Sequence, residues 1–326
     1  MGRATSPRPF RSPLATQMRD FLDDTRARGY RYDREEYHLY QLDRFLVAAG
    51  HDEVSLPRDL VERWLSSTIH RRPSTHRHRQ FVVRQLARFL QARGCQAYCC
   101  PLGVKGVKAY VATRVFARDE IRALLTAADH LAFDRRSPTR HIIVPALFRV
   151  LYGCGLRAGE ALRLTVGDVD LESGVLKIRE GKFRRDRLVP LAPGLQRKLT
   201  DYAQAMGPRA AEDPFFPSPR GGHYGHQAIY HTFRQLLQAA GILHGGRGYG
   251  PRLHEFRHAF AVHQLENWYH AGEDLDAKLP LLATYLGHRS MLGTQWYLQL
   301  TRTLFADLTA RLDDVFGYVL PGAVDR

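Results

Sequence analysis

The most informative stretch of the chain is a glycine–histidine pair followed at a fixed distance by a tyrosine. The stretch is Leu286-Gly287-His288-Arg289-Ser290-Met291-Leu292-Gly293-Thr294-Gln295-Trp296-Tyr297, so Tyr297 lies nine residues after His288. Two shorter motifs precede it, His254-Glu255-Phe256-Arg257-His258 and, further upstream, Gly155-Leu156-Arg157-Ala158-Gly159-Glu160. Guanidinium groups can bind a phosphate, imidazoles can move protons and a phenol can attack phosphorus, so the ordered set indicates phosphodiester chemistry.

The charge of the chain indicates a polyanionic partner. The 326 residues carry a formal net charge of +15, and no Asp or Glu occurs between Arg63 and Ala117. Repulsion among the cations of this stretch would be relieved by phosphates, which also release counterions when they bind. We therefore predict that double-stranded DNA contacts this basic stretch, through Arg71, Arg72, Arg77, Arg79, Arg84, Arg88, Lys105 and Lys108.

Other features of the sequence predict a cytoplasmic protein without a metal site. No apolar run approaches the roughly 20 residues needed to span a bilayer, and the amino terminus lacks the apolar core of a signal peptide. The four cysteines show no disulfide framework. Three of them lie near two histidines, but their spacing matches no standard zinc finger, so we expect free thiols.

The periodicity of apolar residues predicts a mostly α-helical fold with one small antiparallel β-sheet. Residues 1–13 are rich in Arg, Ser and Pro and predict a flexible tail, residues 14–98 a helical domain, and residues 99–113 a basic linker. Residues 114–326 form the predicted second domain. Within it, Val175–Arg179 and Arg187–Leu191 alternate like two strands of a hairpin, Val166–Leu171 is a candidate third strand, and Asn267–Lys278 is expected to be an inserted turn and loop.

These motifs together resemble the tyrosine recombinase family, the lambda-integrase-like phage integrases. The family's Arg-x-x-Glu, hairpin lysine, His-x-x-Arg, and Gly-His with a tyrosine nine residues later all occur here in the family's order, over about Arg114 to Phe316. The amino-terminal domain resembles the family's core-binding domain in length, position and charge. The resemblance implies a two-domain clamp around DNA, site-specific strand exchange for a mobile element, a homotetramer on DNA and no cofactor.

Roles for individual residues follow from the same resemblance. Arg157 and Arg257 would hold the two non-bridging oxygens of one phosphate, for which planar guanidiniums suit better than lysine. Lys182, in the predicted turn of the hairpin, would protonate the leaving 5′ oxygen, with Lys177 as the rival position. His254 would accept or share the proton of the nucleophile, and His288 would hydrogen-bond the scissile phosphate.

Tyr297 is the implied nucleophile, giving a 3′-phosphotyrosyl bond and a free 5′ hydroxyl. A free phenol has a pKa of about 10, so it is a poor nucleophile at neutral pH. We expect nearby guanidiniums to favour the phenolate. Glu160, one helical turn after Arg157, would hold an arginine in place. His258 would support the site without reacting.

Three alternatives compete with this interpretation. Gly153-Cys154-Gly155-Leu156-Arg157-Ala158 formally fits the dinucleotide-binding pattern, but that pattern needs a preceding strand where the sequence predicts a helix. A non-catalytic DNA-binding protein of the same fold would not need the full set of reactive residues. A nicking and rejoining topoisomerase would share the chemistry without exchanging strands, although the separate helical domain favours recombination.

Overall fold

The computed structural model of the chain describes residues 9–30, 32–67, 73–101, 114–179, 186–246, 250–288, 290 and 292–298. The chain divides into two compact units, Met1–Val111 and Ala112–Arg326. Five residues with predicted roles lie outside the described residues: Lys182, Arg71, Arg72, Lys105 and Lys108.

The first unit is helical throughout its described regular structure. Its helices α1 to α4 are Ala15–Ala27, Asp33–Ala48, Arg58–Ser66 and Pro73–Gln91. Acidic side chains occupy the first turn of α2, where they favour the helix because of its dipole. The apolar faces of the four helices share one core, built around α4, which includes Leu14, Leu42, Trp64 and Leu86.

Two of the arginines predicted to contact DNA are engaged inside this unit. Arg79 is only 5% exposed, donates to the side-chain oxygen of Gln41, and places its guanidinium carbon 4.7 Å from the centre of the Trp64 ring. In this conformation Arg79 has little surface left for a phosphate, so its burial disfavours a DNA contact, which stays a prediction from the sequence. Arg84 is half-buried and donates to the carbonyl of Cys100 at 2.6 Å, whereas Arg88 is exposed.

The second unit combines a helical core with a small sheet. Its helices α5 to α12 are Arg118–Asp129, Arg140–Gly153, Ala158–Ala161, Pro193–Met206, His226–Ala239, Glu255–His270, Leu275–Leu286 and Leu292–Leu298. Its strands β1 to β3 are Val169–Asp170, Val175–Ile178 and Arg187–Pro190. The sheet is antiparallel in the order β1-β2-β3, with Lys177 opposite Leu188 and Ile178 opposite Arg187.

Helix α6 lies at the centre of the second unit. It is apolar on nearly all sides and contacts α5, α7, α8 and α10. Phe148 of this helix packs with Phe116, Phe233 and Phe256 in a group of rings whose centroids lie 5.4 to 6.3 Å apart. The buried carboxyl end of this helix leads directly into the Gly155–Glu160 segment, so packing of the core positions that motif.

The predicted fold class is confirmed, since the described residues are mostly helical with one antiparallel three-stranded sheet. The candidate third strand is shorter than predicted, because Val166–Asp168 forms a 3-10 turn and only Val169 and Asp170 pair with β2. The dinucleotide-binding alternative is excluded: a helix precedes its glycines, and the strands that follow form an antiparallel sheet.

The predicted insertion is smaller than expected. Helix α10 continues to His270 and α11 begins at Leu275, so the connection is only Ala271 to Asp274. The carboxylate of Asp274 accepts from the backbone amides of Asp276 and Ala277 at 2.9 and 3.4 Å, which starts the helix well before Pro280. Within the part of the chain that the structure describes, no helix has both the length and the apolar character to cross a membrane.

Candidate active site

Helix α10 carries three of the predicted site residues on one face. His254 is its N-cap residue, and Arg257 and His258 follow three and four positions later, which is the spacing that aligns side chains on a helix. The rings of His254 and His258 meet edge to face with centroids 4.5 Å apart. Arg257 is 1% exposed and, among the residues that the structure describes, is the largest fully buried side chain.

Glu160 binds two arginines from different elements. Its carboxylate accepts from Nη1 of Arg157 at 2.6 Å and from Nη1 and Nη2 of Arg187, in strand β3, at 3.2 and 2.9 Å. It also accepts from the backbone amide of Arg157 at 3.0 Å, which caps α7. Burial alone would raise the pKa of this carboxyl, but the hydrogen bonds and charge of Arg187 and then Arg157 lower it to about 2. Glu160 is therefore an anion at neutral pH.

The carboxyl end of α11 accepts hydrogen bonds from three arginines. Nε of Arg187 donates to the carbonyl of Tyr285 at 2.9 Å. Nη2 of Arg257 donates to that of Leu286 at 2.6 Å, and Nη2 of Arg157 to that of Gly287 at 3.4 Å. The last carbonyls of a helix have no partner within it and carry its negative dipole end. This turn therefore draws the three guanidiniums to one place.

A second glycine fixes the other side of Arg257. Gly155 follows α6 with a φ of +57°, and its carbonyl accepts from Nη1 of Arg257 at 2.9 Å. A Cβ at this position would lie 2.5 Å from Cδ1 of Phe260, so only glycine fits both the conformation and the space. Burial, followed by repulsion from Arg157, lowers the pKa of Arg257 to about 10, which leaves the guanidinium charged at neutral pH.

Tyr297 is placed at the centre of the predicted site but inside the protein. Its side chain is 2% exposed and packs among apolar residues of α10 and α11, including Leu265 and Leu282. Its hydroxyl lies 3.2 Å from Nδ1 of His258, and its ring stacks on that of His288 at 6.0 Å between centroids. The structure thus joins Tyr297 to the arginine and histidine motifs within one unit.

The pKa of Tyr297 is raised, although the guanidiniums favour its phenolate as expected. Burial is the largest cause and raises it, while the charge and hydrogen bond of Arg257, with the charge of Arg157, oppose it only in part. The side chain is therefore a neutral phenol in this state, and its attack on phosphorus requires a group that takes its proton.

The three histidines of the site are neutral. Burial and then the charge of Arg257 lower the pKa of His254 and of His288 to about 4. Burial and then His254 lower the pKa of His258 to about 3. Each ring is therefore uncharged at neutral pH, with one nitrogen that can accept a hydrogen bond. Nδ1 of His288 lies 2.8 Å from the hydroxyl of the fully buried Thr294, which fixes the orientation of that ring.

Of the two candidate lysines, only Lys177 lies within the described residues. It is exposed on β2 and lines a cavity of about 550 Å³ whose wall also includes Arg163, Arg179 and Glu160. The choice of Lys182 over Lys177 therefore stays a prediction from the sequence.

Two functional candidates were missed by the sequence analysis, Arg187 and Thr294. Arg187 had a detectable signal, because in an alternating strand it lies in phase with the buried Val189. A charged group on the inner face of a strand requires a buried partner, here Glu160. Thr294 has no comparable signal, since a threonine in a helix is common and its partner His288 lies in a preceding turn.

Comparisons with known proteins agree with this architecture. Residues 114–303 match the phage integrase family. The chain is 31% identical to the protein named integrase/recombinase y4rB of Sinorhizobium fredii, covering 93% of this chain and 98% of that protein. It is 28% identical to the tyrosine recombinase XerD of Pseudomonas aeruginosa, over 89% of this chain and 91% of XerD. A crystal structure of a lambda integrase dimer bound to a COC′ core site has a TM-score of 0.60, with 15% identity, covering 85% of this chain and 96% of that one.

Proposed function

The chain belongs to the phage integrase family, and from this premise we propose that it is a site-specific recombinase that cuts and rejoins DNA strands. The observation that carries the proposal is the meeting of Arg157, Arg257, His258, His288 and Tyr297 in one unit, although they come from three separate stretches of sequence.

The proposed reaction starts with the binding of the scissile phosphate by Arg157 and Arg257. Both guanidiniums are held on backbone carbonyls with other N–H groups left to donate to non-bridging oxygens. Positive charge fixed in this way stabilises the extra negative charge of the pentacoordinate transition state. Removing one such donor costs about 10²–10³ in rate.

The hydroxyl oxygen of Tyr297 then attacks phosphorus and the bond to the 5′ oxygen breaks. The electron pair leaves with the 5′ oxygen, which takes a proton from Lys182, the group we assign from its place in the sequence. The product is a 3′-phosphotyrosyl ester and a free 5′ hydroxyl. Because the ester keeps the energy of the broken bond, a 5′ hydroxyl from another strand can reverse the step without a nucleotide or a metal.

We further propose the partners and the context of the reaction. Residues 14–98 and 114–326 would form a clamp on duplex DNA, joined by a linker over residues 99–113, and exchange between two duplexes would require four protomers. The likeness to a protein named an integrase/recombinase supports an element that moves within a genome. An enzyme that acts on genomic DNA would work in the cytoplasm.

The direct test is a suicide substrate made from DNA that flanks the gene, analysed on a denaturing gel. The wild-type protein should form a covalent adduct, and Tyr297→Phe should bind the same DNA with unchanged affinity and form none. Tyr285→Phe is the matched control, because Tyr285 has a half-buried phenol whose hydroxyl donates to a carbonyl, that of Pro190. An adduct that persists in Tyr297→Phe, or is lost in Tyr285→Phe alone, contradicts the assignment.

A second assay separates recombination from topoisomerase activity. A plasmid with two copies of the flanking site should yield recombinant circles whose formation requires both sites. Relaxation of supercoils without recombinant circles would identify a topoisomerase instead.

A further inference from the structure

We propose that His258 is the catalytic base of this site, the group that takes the proton from the hydroxyl of Tyr297 as that oxygen attacks phosphorus. The inference rests on the proposed function and deepens it. It also revises the expectation from the sequence, in which His254 manages this proton and His258 only supports the site.

The proton would move between two atoms that already lie close together, the hydroxyl oxygen of Tyr297 and Nδ1 of His258. Nδ1 of His258 lies 3.2 Å from the hydroxyl oxygen of Tyr297 in the DNA-free protein, within reach of a proton transfer. The spacing of the sequence places His254 and His258 on the same helix face and leaves open which of them faces the phenol. In the structure the ring of His254 packs edge to face on that of His258.

The side chains of His258 and Tyr297 are both buried. His258 is 7% exposed and Tyr297 2% exposed, so bulk water has little access to the phenol. Hydroxide or a buffer base therefore cannot easily replace a protein group in removing the proton. In enzymes with a serine or cysteine nucleophile, an adjacent base activates the weak nucleophile in the same way, by taking its proton.

The imidazole of His258 is in the neutral form, which a base requires. Titratable and charged groups face it from its own helix and the turn before it, from the turn after α11 and from α12, namely Arg252, His254, Arg257, His288 and Tyr297. Burial, then His254 and the arginines lower the pKa of His258, so the ring is neutral and Nδ1 can accept in the tautomer that carries hydrogen on Nε2. A bound phosphodiester adds negative charge beside Arg257, which opposes that repulsion and makes the ring a stronger base when substrate is present.

The proton balance of the step is complete. The O–H bond of Tyr297 breaks and its proton moves to Nδ1 of His258, while the phenolic oxygen forms its bond to phosphorus. On rejoining, the attacking 5′ hydroxyl returns its proton to Lys182 as its oxygen bonds to phosphorus, and the displaced phenolic oxygen recovers its own proton from the His258 imidazolium.

The test is His258→Asn, in which the amide occupies the place of Nδ1 and can still hydrogen-bond the phenol but cannot take its proton. Cleavage of a suicide substrate with a sulfur at the 5′-bridging position isolates this step, because a thiolate leaving group needs no proton. We expect the variant to cleave this substrate about 10²-fold more slowly than wild type. Its rate should rise by about tenfold per pH unit above neutrality, since it then depends on the small fraction of phenolate.

Two comparisons give the test its specificity. His254→Asn is the matched variant on the same helix face; it should slow cleavage without creating this dependence on pH. Difluorotyrosine in place of Tyr297 has a more acidic phenol, so it should narrow the gap between His258→Asn and wild type. A role limited to packing would leave that gap unchanged.

The proposal is overturned if His258→Asn, folded and binding DNA as wild type, keeps the wild-type rate or pH profile, or if the new pH dependence appears in His254→Asn instead. His258→Gln takes the place of the asparagine variant if thermal unfolding shows that the latter is unstable. Failure of the proposed function is a different result: wild type itself would form no adduct. An adduct that depends on Tyr297 but not on His258 would refute this inference alone.

Discussion

The buried carboxylate of Glu160 joins two arginines that come from different parts of the fold. It orients Arg157, a proposed phosphate ligand, from within the same short helix, and it binds Arg187 on the neighbouring strand with both of its oxygens. Burying a charged group removes it from water, and this unfavourable desolvation is offset by the attraction of the opposite charge. Removal of one charge therefore leaves its partners buried without that attraction. The sequence predicted Glu160 as the holder of an arginine, but the second arginine could be found only from the inner phase of β3.

The stability that Glu160 contributes should depend on pH in a defined direction. The folded protein has a pKa of about 2 for this carboxyl, below the value of about 4.3 expected in the unfolded chain. The contribution is therefore complete above about pH 4 and is lost as the pH falls towards 2. We expect Glu160→Gln to lower the free energy of unfolding by about 3 kcal/mol at neutral pH, and the difference from wild type to shrink on acidification.

Urea unfolding at several pH values measures this difference. The exposed pair of Arg122 with Asp119 provides the control, because Asp119→Asn should change stability little at any pH. A difference for Glu160→Gln that stays constant down to the acid limit would show that its charge does not carry the effect.

Among the elements, the carboxyl end of α11 has the largest influence on the site. Gly287 closes this helix with a φ of +68°, and a Cβ there would lie 3.1 to 3.2 Å from the guanidinium of Arg187. A side chain at this position would strain the backbone and also displace one of the three arginines that the turn holds.

Gly287→Ala should therefore lose both stability and activity. We expect a loss of about 1 kcal/mol from the left-handed backbone conformation, and a larger, roughly tenfold or greater, loss of adduct formation from the displaced arginine. Gly272→Ala is the matched control, because Gly272 has a φ of +71° after α10 and no atom within 4 Å of the added Cβ. The control should lose stability alone. Equal losses of activity in the two variants would remove the special role of this turn.

The elements themselves were predictable from the sequence where their apolar spacing is regular. The apolar spacing predicts helices over Pro13–Arg28, Asp33–Ala49, Arg118–His130 and Leu195–Met206. Helices α1, α2, α5 and α8 begin and end within a few residues of these positions. The short connection between α10 and α11 could not be predicted, because Gly272 and the acidic residues beside it are typical of a longer loop. The capping carboxylate of Asp274 was the available signal that a helix starts there. The backbone carbonyls that orient the arginines leave no trace in side-chain identity.

The whole molecule is strongly basic, with a formal net charge of +15. Each unit has an apolar core of its own, so the charge of the first unit can serve binding without being needed for the chemistry of the second. The sequence shows the acid-free stretch directly, but it does not show which of its arginines face the core. Arg79 and Arg88 both lie on α4 and differ only in what packs against them.

The salt dependence of DNA binding should separate these two arginines. Arg88→Ala should weaken binding and reduce the slope of log affinity against log salt by about 0.9, the value for one lost phosphate contact, without a change in stability. Arg79→Ala should leave the slope unchanged and lower the free energy of unfolding by about 2 kcal/mol, because it loses a hydrogen bond and its contact with Trp64. Fluorescence anisotropy at several salt concentrations and urea unfolding measure both. An unchanged slope in Arg88→Ala would remove that residue from the DNA contact surface.

Each of the three arginines of the site donates to a main-chain oxygen, that of Tyr285, Leu286 or Gly287, and two of them also donate to the carboxylate of Glu160. Main-chain oxygens are retained whatever the identity of the residue, so the acceptors at the first two of these positions do not depend on which side chain is present there. A scan of single substitutions would therefore pass over them, and only a change to the peptide link itself, such as a backbone ester, would expose their contribution.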